Sequence, residues 1–579
     1  MNYTFKFESI PEVVNKNKGY NTIELDELDD SEREIIDPLV PPTSGLRMVI
    51  FDVQNKSYTL TRKQTFYFLR VIKGISVIAK EELGMDTPNV LIVTDDRPSA
   101  DLLLDLSSRI FAYEGYTIYH QTGEGETDPR STYIRGFSKM ATPYAAASVA
   151  LYDDIDVVLM ITASHNSLKW NGLKFYIQRP IPISGTVMKK VSAYALSLDH
   201  IKVTKTYIPK MIDADDVNNK YILNLVSKIV DLGVLKGKNI VLWPFLGASP
   251  ELVQVLESCG AKVILIDNNL NPPDPTQGFE EEPVKQMMEK NNAKIAIMLD
   301  ADRDRIVFLI RIGGKFYNFE PNQLYTAMHN ILSKEMGKNI VNVKTIPSDP
   351  GCDASSKVNF VCGVGYKHLG ILQYLAADAE VPQSQVDLSV IYHFINNKYV
   401  KLHSQKEIKK IIKKAFPGNE EVIFAIWEES GGHTFNLFHN NGGKLSSEFP
   451  IVGDKYPVPA ILVLCALLEL DYDFNKYIGD IGRGRTTISA TDLQKIQYID
   501  NLTSLIGKNI TIDEFSYSVN SFSDMHDKID VVYLQSETSV LFVRPSGTGP
   551  NIRIYIFGPQ DTFEQELSAV VQFVKQKSN

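Results

Sequence analysis

Asp156-Val157-Val158-Leu159-Met160-Ile161-Thr162-Ala163-Ser164-His165-Asn166 is the stretch from which the fold can be read. A short apolar run bounded by turn formers reads as a buried strand. The pentapeptide Thr162 to Asn166 then sits where that strand ends and the chain turns, exposing a serine with an imidazole and an amide beside it. A Ser-His-Asn turn is in most proteins only a turn, because Ser and Asn satisfy nearby backbone groups well. Whether Ser164 does chemistry has to be decided by the rest of the chain.

Working outward, the pattern alternates. Val90-Leu91-Ile92-Val93 reads as a strand, Asp95-Asp96-Arg97-Pro98-Ser99 as a loop, and Leu102 to Tyr113 as a helix. Tyr116-Thr117-Ile118-Tyr119 is the next strand. Thr142-Pro143 opens a helix through Leu151, with Thr suited to capping and Pro to the first helical position. After the serine turn, Leu173 to Ile177 alternates as a strand that places Lys174 and Tyr176 on one face. Such alternation implies an α/β fold with mixed, mainly parallel sheets, and in those sheets ligands lie beyond the carboxyl ends of strands. Two further α/β units follow. One contains the strands Asn239 to Trp243, Lys262 to Ile266 and Lys294 to Leu299; the other contains the helix Asn322 to Met336 and the strand Val422 to Trp427. A helix from about Pro459 leads to short strands in a row and a last helix from about Thr562, the style of a small α+β domain. The expected division is an N-terminal extension over 1–40, helical or loosely held, then domains over 41–212, 213–318, 319–456 and 457–579.

The 579 residues suit roughly four domains at about 150 residues each. With a formal net charge of −10 and no strongly basic block, the composition argues against nucleic-acid binding. Arginines inside motifs therefore carry weight in a chain that handles anions. Cys259, Cys352, Cys362 and Cys465 form no C-x-x-C pair, so neither a zinc site nor a disulfide framework is indicated. The N-terminus lacks the apolar core of a signal peptide. The longest apolar run, near Pro459 to Leu468, falls short of the ~20 residues of a membrane helix. A reducing, cytoplasmic setting is expected.

Three more strand-end loops offer chemistry. Asp300, Asp302 and Asp304 follow an apolar strand at spacing i, i+2, i+4. In an extended chain the outer two would stand about 13 Å apart, so sharing an ion requires the chain to curl. Three carboxylates repel unless a cation is present, and oxygen-only ligands select a hard ion such as Mg2+ or Ca2+. A rival reading makes Asp300 a nucleophile, since a strand followed by Asp-x-Asp also opens haloacid-dehalogenase-type phosphatases. Arg544-Pro545-Ser546-Gly547-Thr548-Gly549 with Arg553 supplies hydroxyls, close backbone approach and two planar donors suited to phosphate. It is not a Walker loop. Glu428-Glu429-Ser430-Gly431-Gly432-His433 offers carboxylate, hydroxyl and imidazole, a set that suits sugar hydroxyls. A nucleophile, a metal, a hydroxyl reader and a phosphate holder are together what a phosphosugar requires.

In this order the motifs resemble the α-D-phosphohexomutases, the superfamily of phosphoglucomutase and phosphomannomutase. The resemblance runs from about Thr43 to Gly558. It is carried by Thr43-Ser44-Gly45-Leu46-Arg47, Thr162 to Asn166 with Asn171-Gly172-Leu173-Lys174, the Asp-x-Asp-x-Asp-Arg loop, Glu428-Glu429-Ser430, and Arg544 to Thr548. It implies three related α/β domains and a smaller fourth around a cleft, and a phosphoserine at Ser164. It implies Mg2+ held by Asp300, Asp302, Asp304 and a phosphoserine oxygen. The serine gives its phosphoryl group to a hexose monophosphate, and the bisphosphate formed turns over before returning its other phosphate. Arg47, His165, Lys174 and Lys367 would surround the transferring group, with His165 and Lys367 as rival general bases. Arg303 and Arg305 would face the substrate, and Glu428 and Ser430 would hold sugar hydroxyls. Arg544, Ser546, Gly547, Thr548 and Arg553 would grip the other phosphate.

The expected reaction interconverts hexose 1- and 6-phosphates, glucose first. Phosphomannomutase or dual activity is the alternative, because glucose and mannose differ only at the 2-hydroxyl. Glucose 1,6-bisphosphate or mannose 1,6-bisphosphate would be the activator. The partners expected are small phosphosugars, with no nucleic acid or membrane; the sequence leaves the oligomeric state open. The chain departs from the family at Ser167 (usually proline), Ala301 (glycine or proline), Arg303 (small), Gly432 (an extra residue) and Gly549 (glutamate). These departures motivate a second alternative, a phosphosugar-binding paralogue with reduced turnover.

Overall fold

In the computed structural model, residues 3–38, 45–122, 138–183, 185–377, 379–381, 390–395, 398–478, 481–523, 529–545 and 551–576 are described. They form two compact units. The first comprises Met1–Pro38, Ser44–Glu320 and Phe449–Leu470; the second comprises Pro321–Glu448 and Asp471–Asn579.

In the first unit the serine strand is Val157–Ile161, wholly buried. It lies in a six-stranded sheet ordered Lys210–Ile212, Thr117–Gln121, Asn89–Thr94, Val157–Ile161, Trp170–Ile177, Leu46–Val49. The first four strands run parallel and the last two join antiparallel. The fold is thus α/β with mixed sheets, a parallel centre bordered by antiparallel strands. A five-stranded sheet, ordered Lys262–Leu265, Asn239–Pro244, Ile295–Leu299, Ile306–Ile312, Lys315–Phe319, has the same plan.

Residues 3–38 are woven into this unit rather than appended to it. Strand Thr4–Phe7 pairs parallel with Ser57–Leu60, and Tyr20–Glu24 pairs antiparallel with His200–Thr204. Helix Asp30–Ile36 is opened by a capping box between Asp29 and Glu32. Pairing consumes backbone groups that a loose arm would leave to water. The helix Val458–Glu469, expected to begin the last domain, packs in the first unit instead, against Ala214–Ser227 and the turn Leu232–Leu235. Its all-round apolar sequence is buried over Val458 to Leu468, as a helix without a polar face requires.

The second unit holds a seven-stranded sheet ordered Lys398–Leu402, Ile391–Ile395, Val358–Cys362, Ile340–Thr345, Asn419–Trp427, His433–Asn441, Lys444–Ser447. It also holds a six-stranded antiparallel sheet with the helices Asp492–Thr503 and Phe563–Gln576, the α+β style expected of the C-terminal region. No described helix is long and apolar enough to cross a membrane.

Candidate active site

Glycines set the approach of the strands beneath the serine. A Cβ at Gly172 would stand 2.3 Å from the Leu46 carbonyl oxygen and 2.6 Å from that of Thr162. Gly45, at φ +67°, lies equally close to the Leu173 carbonyl. Only glycine fits either place, and both belong to the motifs quoted above. They bring Arg47 opposite Gly172, two residues before Lys174. Thr43 and Ser44 lie outside the described residues.

The turn after Ile161 puts Ser164 at φ +53° and fully buried. Its N–H donates to Thr162 Oγ1 at 2.8 Å. Its Oγ lies 3.2 Å from His165 Nδ1 and donates to Asp300 Oδ2 at 3.2 Å. The nucleophile candidate and the first metal-loop carboxylate therefore touch, although 136 residues separate them in the chain.

The metal loop curls as its spacing demanded. Asp300 Oδ1 accepts the N–H groups of Asp304 at 3.1 Å and Arg305 at 3.2 Å. Carboxylate oxygens of Asp300, Asp302 and Asp304 all lie within 4.8 Å of one another, and all three residues are buried. Asp302 Oδ1 and Asp304 Oδ1 have no hydrogen-bond partner. Buried, all-oxygen and with acceptors open, the set fits a hard divalent cation. Burial, reinforced by Asp302 and Asp304, pushes the Asp300 carboxyl well above the carboxylate range. Burial acts the same way on Asp304, yet Lys174, Lys455 and Arg305 hold it well below.

Those cations come from several elements. Lys174 Nζ donates to Asp302 Oδ2 at 2.9 Å and to Asp304 Oδ2 at 3.0 Å. Lys455 Nζ lies 3.6 Å from Asp304 Oδ2. Arg305 Nε is 3.8 Å from Asp304 Oδ1 and its Nη1 is 3.9 Å from Asp274 Oδ2. Arg47 Nε and Nη1 are buried without hydrogen-bond partners. Burial and the charge of Arg305 lower its pKa, against the pull of the three aspartates. A buried guanidinium with unspent donors beside a metal loop is a place for an anion.

Three expectations need correcting. Arg303 does not point its charge at a substrate: it is 5% exposed, and its guanidinium is ion-paired to Asp96 (Nη2 to Oδ2, 2.6 Å) and Glu251 (Nε to Oε1, 3.3 Å). Thr142 does not cap its helix. Ala141 is the N-cap, while Thr142 Oγ1 donates to Asp302 Oδ2 at 2.8 Å and its N–H to the Asp302 carbonyl at 3.0 Å. His433 does not serve the sugar loop. It is fully buried, with Nε2 2.9 Å from His329 Nε2, and burial takes its pKa well below the usual value. The departure at Ala301 has a plain cause, since its methyl lies in the apolar core shared with Leu46 and Ile161.

In the second unit, Glu428 and Ser430 sit on the hairpin loop between Trp427 and His433, with Ser430 Oγ donating to Glu428 Oε1. The extra Gly432 closes that loop, its carbonyl accepting from the Glu428 N–H at 3.0 Å. Arg544 stands directly opposite Arg553 on antiparallel neighbours. Like charges so placed repel and call for an anion. Glu429 supplies part of the compensation, with Oε1 3.5 Å from Arg544 Nη2 and accepting from Tyr555 OH at 2.8 Å. Lys367 is buried in the first turn of helix Tyr366–Ala377. Ser546, Gly547, Thr548 and Gly549 lie outside the described residues. Sequence reasoning missed the parts played by Asp95, Arg97, Thr142, Thr162 and Lys455.

Residues 42–201 match the family described as phosphoglucomutase/phosphomannomutase, α/β/α domain I. Over those residues, about a quarter of its length, the chain is similar to the first domain of that family. The resemblance read from the motifs of the phosphohexomutases holds. Among curated relatives, the phosphoglucosamine mutase of Geobacter metallireducens is 27% identical over 208 residues, 35% of this chain and 46% of that protein. The match to the enzyme of that name from Aliarcobacter butzleri is 30% identical over 161 residues, 36% of that protein. The chain thus spans less than half the length of these curated relatives. A longer match, to phosphoglucosamine mutase of Caldicellulosiruptor bescii, is 27% identical over 502 residues and covers 85% of this chain and 91% of that protein. Among solved structures, the Paramecium phosphoglucomutase pp63/parafusin in its open form aligns over 100% of this chain and 97% of its own, with TM-score 0.62 and 13% identity. A phosphoglucomutase/phosphomannomutase family protein of Burkholderia thailandensis aligns over 94% and 98%, with TM-score 0.58 and 13% identity. At that identity these likenesses show the fold.

Proposed function

We propose that the protein is a phosphohexomutase that interconverts hexose 1- and 6-phosphates through a phosphoserine at Ser164. The observation that carries this reading is the contact of Ser164 Oγ with Asp300 Oδ2, with His165 beside the serine and Lys174 and Arg47 among the charges at the metal-loop aspartates. The motif order and the phosphohexomutase names of the relatives support it. In this reading, Mg2+ held by Asp300, Asp302, Asp304 and a phosphoserine oxygen would act as a Lewis acid on the transferring phosphoryl group.

The chain's own residues do the rest. In this reading His165, whose Nδ1 lies 3.2 Å from Ser164 Oγ, exchanges the serine proton. Lys367, at the start of its helix in the second unit, is the rival base. Lys174 and Arg47 supply positive charge against the oxygens over which phosphoryl charge spreads. Arg305 positions the substrate beside the metal loop. Glu428 and Ser430, already hydrogen-bonded to each other, accept and donate to two sugar hydroxyls. Arg544 and Arg553, with Ser546, Gly547 and Thr548, hold the phosphate at rest.

A division into four domains suits these tasks, with the first two α/β domains in the first unit and the sugar and phosphate loops in the second. Glucose phosphate is the first substrate expected, with mannose phosphate as the alternative. The relatives' names add glucosamine phosphate. Four free cysteines agree with a cytoplasmic setting.

The test is a coupled assay with the 1-phosphates of glucose, mannose and glucosamine, in Mg2+ and the matching 1,6-bisphosphate. Conversion of one or more is expected. No conversion of any would leave the paralogue with reduced turnover as the reading. Release of inorganic phosphate from the sugar phosphate that persists in Ser164→Ala would instead favour Asp300 as the nucleophile of a phosphatase.

A further inference from the structure

We propose that the loop Asp95-Asp96-Arg97 is a positioning device that sets Ser164 against the metal-loop carboxylates: Arg97 holds the serine turn and Asp96 holds the metal loop through Arg303. The proposal rests on the reading of Ser164 as phosphoryl carrier and adds to it residues outside the five motifs.

Arg97 is 2% exposed, and every one of its side-chain donors is used. Nε donates to Asp95 Oδ2 at 3.1 Å. Nη1 donates to the carbonyls of Ser167 at 2.9 Å and Trp170 at 3.0 Å. Nη2 donates to the carbonyls of Ser164 at 2.5 Å and Asn166 at 2.6 Å. A guanidinium has five N–H groups in a rigid fork. Four of them here gather backbone oxygens of a single turn, among them the carbonyl of the fully buried Ser164, which without a partner would carry a desolvation penalty.

Asp95 closes the arrangement from the other side. The oxygen that receives Arg97 Nε also accepts Thr162 Oγ1 at 2.7 Å, and that hydroxyl accepts the Ser164 N–H at 2.8 Å. Both backbone polar groups of Ser164 are thus fixed through the Asp95–Arg97 pair. They have strain to hold: a non-glycine residue in the left-handed region persists only where its surroundings over-determine it.

Asp96, between them in sequence, faces the other loop. Its Oδ2 accepts Arg303 Nη2 at 2.6 Å, and Arg303, itself at φ +61°, stands between Asp302 and Asp304. Arg303 is one of the positions where this chain departs from its family, and here it is the arm by which the metal loop is held. Three consecutive residues thereby register the two loops whose meeting leaves Ser164 Oγ 3.2 Å from Asp300 Oδ2. Arg97 spends its donors on the chain itself, so it is a positioning residue and not a catalytic one.

The experiment measures how fast glucose 1,6-bisphosphate phosphorylates Ser164 in the full chain with Mg2+, by quenched intact-mass analysis, alongside steady-state kcat and KM. The proteins are wild type, Arg97→Lys, Thr162→Val and Asp96→Asn. Lysine has three donors on one nitrogen and cannot span the four carbonyls. Arg97→Lys is expected to slow phosphorylation and kcat about a hundredfold, the scale of a 1 Å misplacement, with KM for the hexose phosphate unchanged. Thr162→Val is expected to slow both at least tenfold, and Asp96→Asn to raise the Mg2+ needed for half-maximal rate. A merely structural role would lower yield and Tm but leave the rate of the folded protein alone. Wild-type rates in folded Arg97→Lys, or in Thr162→Val where that variant does not fold, overturn the proposal. A wild-type protein that takes up no phosphoryl group overturns the reading of Ser164 on which the proposal stands.

Discussion

Removing the Lys174 ammonium tests the electrostatics of the site directly. Lys174 Nζ lies 2.9 Å from Asp302 Oδ2 and 3.0 Å from Asp304 Oδ2, and all three groups are nearly excluded from water. Each contact corresponds to a gross attraction of roughly 5–6 kcal/mol at an effective dielectric of about 20. The net effect is smaller, because the ammonium was itself desolvated; stripping one partner from a buried pair typically costs about 3–5 kcal/mol. Lys455 and Thr142 stay beside the stranded carboxylates, so the lower end applies. Lys174→Met should therefore lose about 3 kcal/mol, a fall of roughly 4 °C in Tm for the first unit, whose size of about 340 residues implies an unfolding entropy of about 0.7 kcal/mol/K. The assay is thermal unfolding in EDTA and again in Mg2+. Ligand at a hundred times its Kd stabilises by about 2.7 kcal/mol, and in the variant the cation no longer competes with an ammonium for Asp302 and Asp304. Mg2+ should accordingly raise the variant's Tm more than the wild type's and narrow the gap. Equal Tm values in EDTA, or an equal Mg2+ shift in both proteins, would refute the reasoning.

Three further outcomes follow from particular contacts. Gly172→Ala pushes a methyl against two backbone oxygens and should cost about 1–3 kcal/mol or more by unfolding, whereas Gly19→Ala, with nothing within 4 Å, should not change Tm. Arg553→Met removes one of two facing guanidinium groups; it should raise KM for the hexose phosphate about 10- to 100-fold, the worth of a charged hydrogen bond, while leaving ligand-free stability unchanged or improved. Burial raises the Asp95 carboxyl to about 6 against the pull of Arg97. Below that pH a proton displaces one of the two donors shared by Asp95 Oδ2, so the rate should fall with a midpoint near 6. Because the folded pKa lies above the unfolded one, this group's contribution to stability rises as pH drops from 6 towards 4, the opposite direction to the rate. Asp95→Asn should abolish that limb on a lower plateau, and an unchanged limb in the variant would count against the assignment.

The parts of the fold that were legible are those where one short segment carries its own pattern. The run Val157 to Ile161 reads as a buried strand and is one, and for Asp300, Asp302 and Asp304 to share an ion the chain had to curl, a curl in which the Asp304 and Arg305 amides bind Asp300 Oδ1. What stayed hidden depended on partners distant in sequence. Arg97 binds backbone carbonyls, which every residue has, so its acceptors left no trace in the side-chain pattern. Lys455 reaches Asp304 because Phe449–Leu470 returns to the first unit, a step no local signal announces. Thr142 was legible as a cap and is used as a ligand of Asp302, since a hydroxyl at a helix start can serve either purpose. Arg303 read as a substrate contact only while its buried acids, Asp96 and Glu251, were unknown. The early strands Thr4–Phe7 and Tyr20–Glu24 are short and alternate too weakly to stand out from loop.

The central claim is that Ser164 carries a phosphoryl group. Intact-mass analysis of wild type and Ser164→Ala, after incubation with Mg2+ and glucose 1,6-bisphosphate, tests it most directly. The account predicts a gain of about 80 Da, one phosphoryl group, in the wild type, mapped to Ser164 by peptide analysis and absent from the variant. An unmodified wild type, or the same gain in Ser164→Ala, would contradict it.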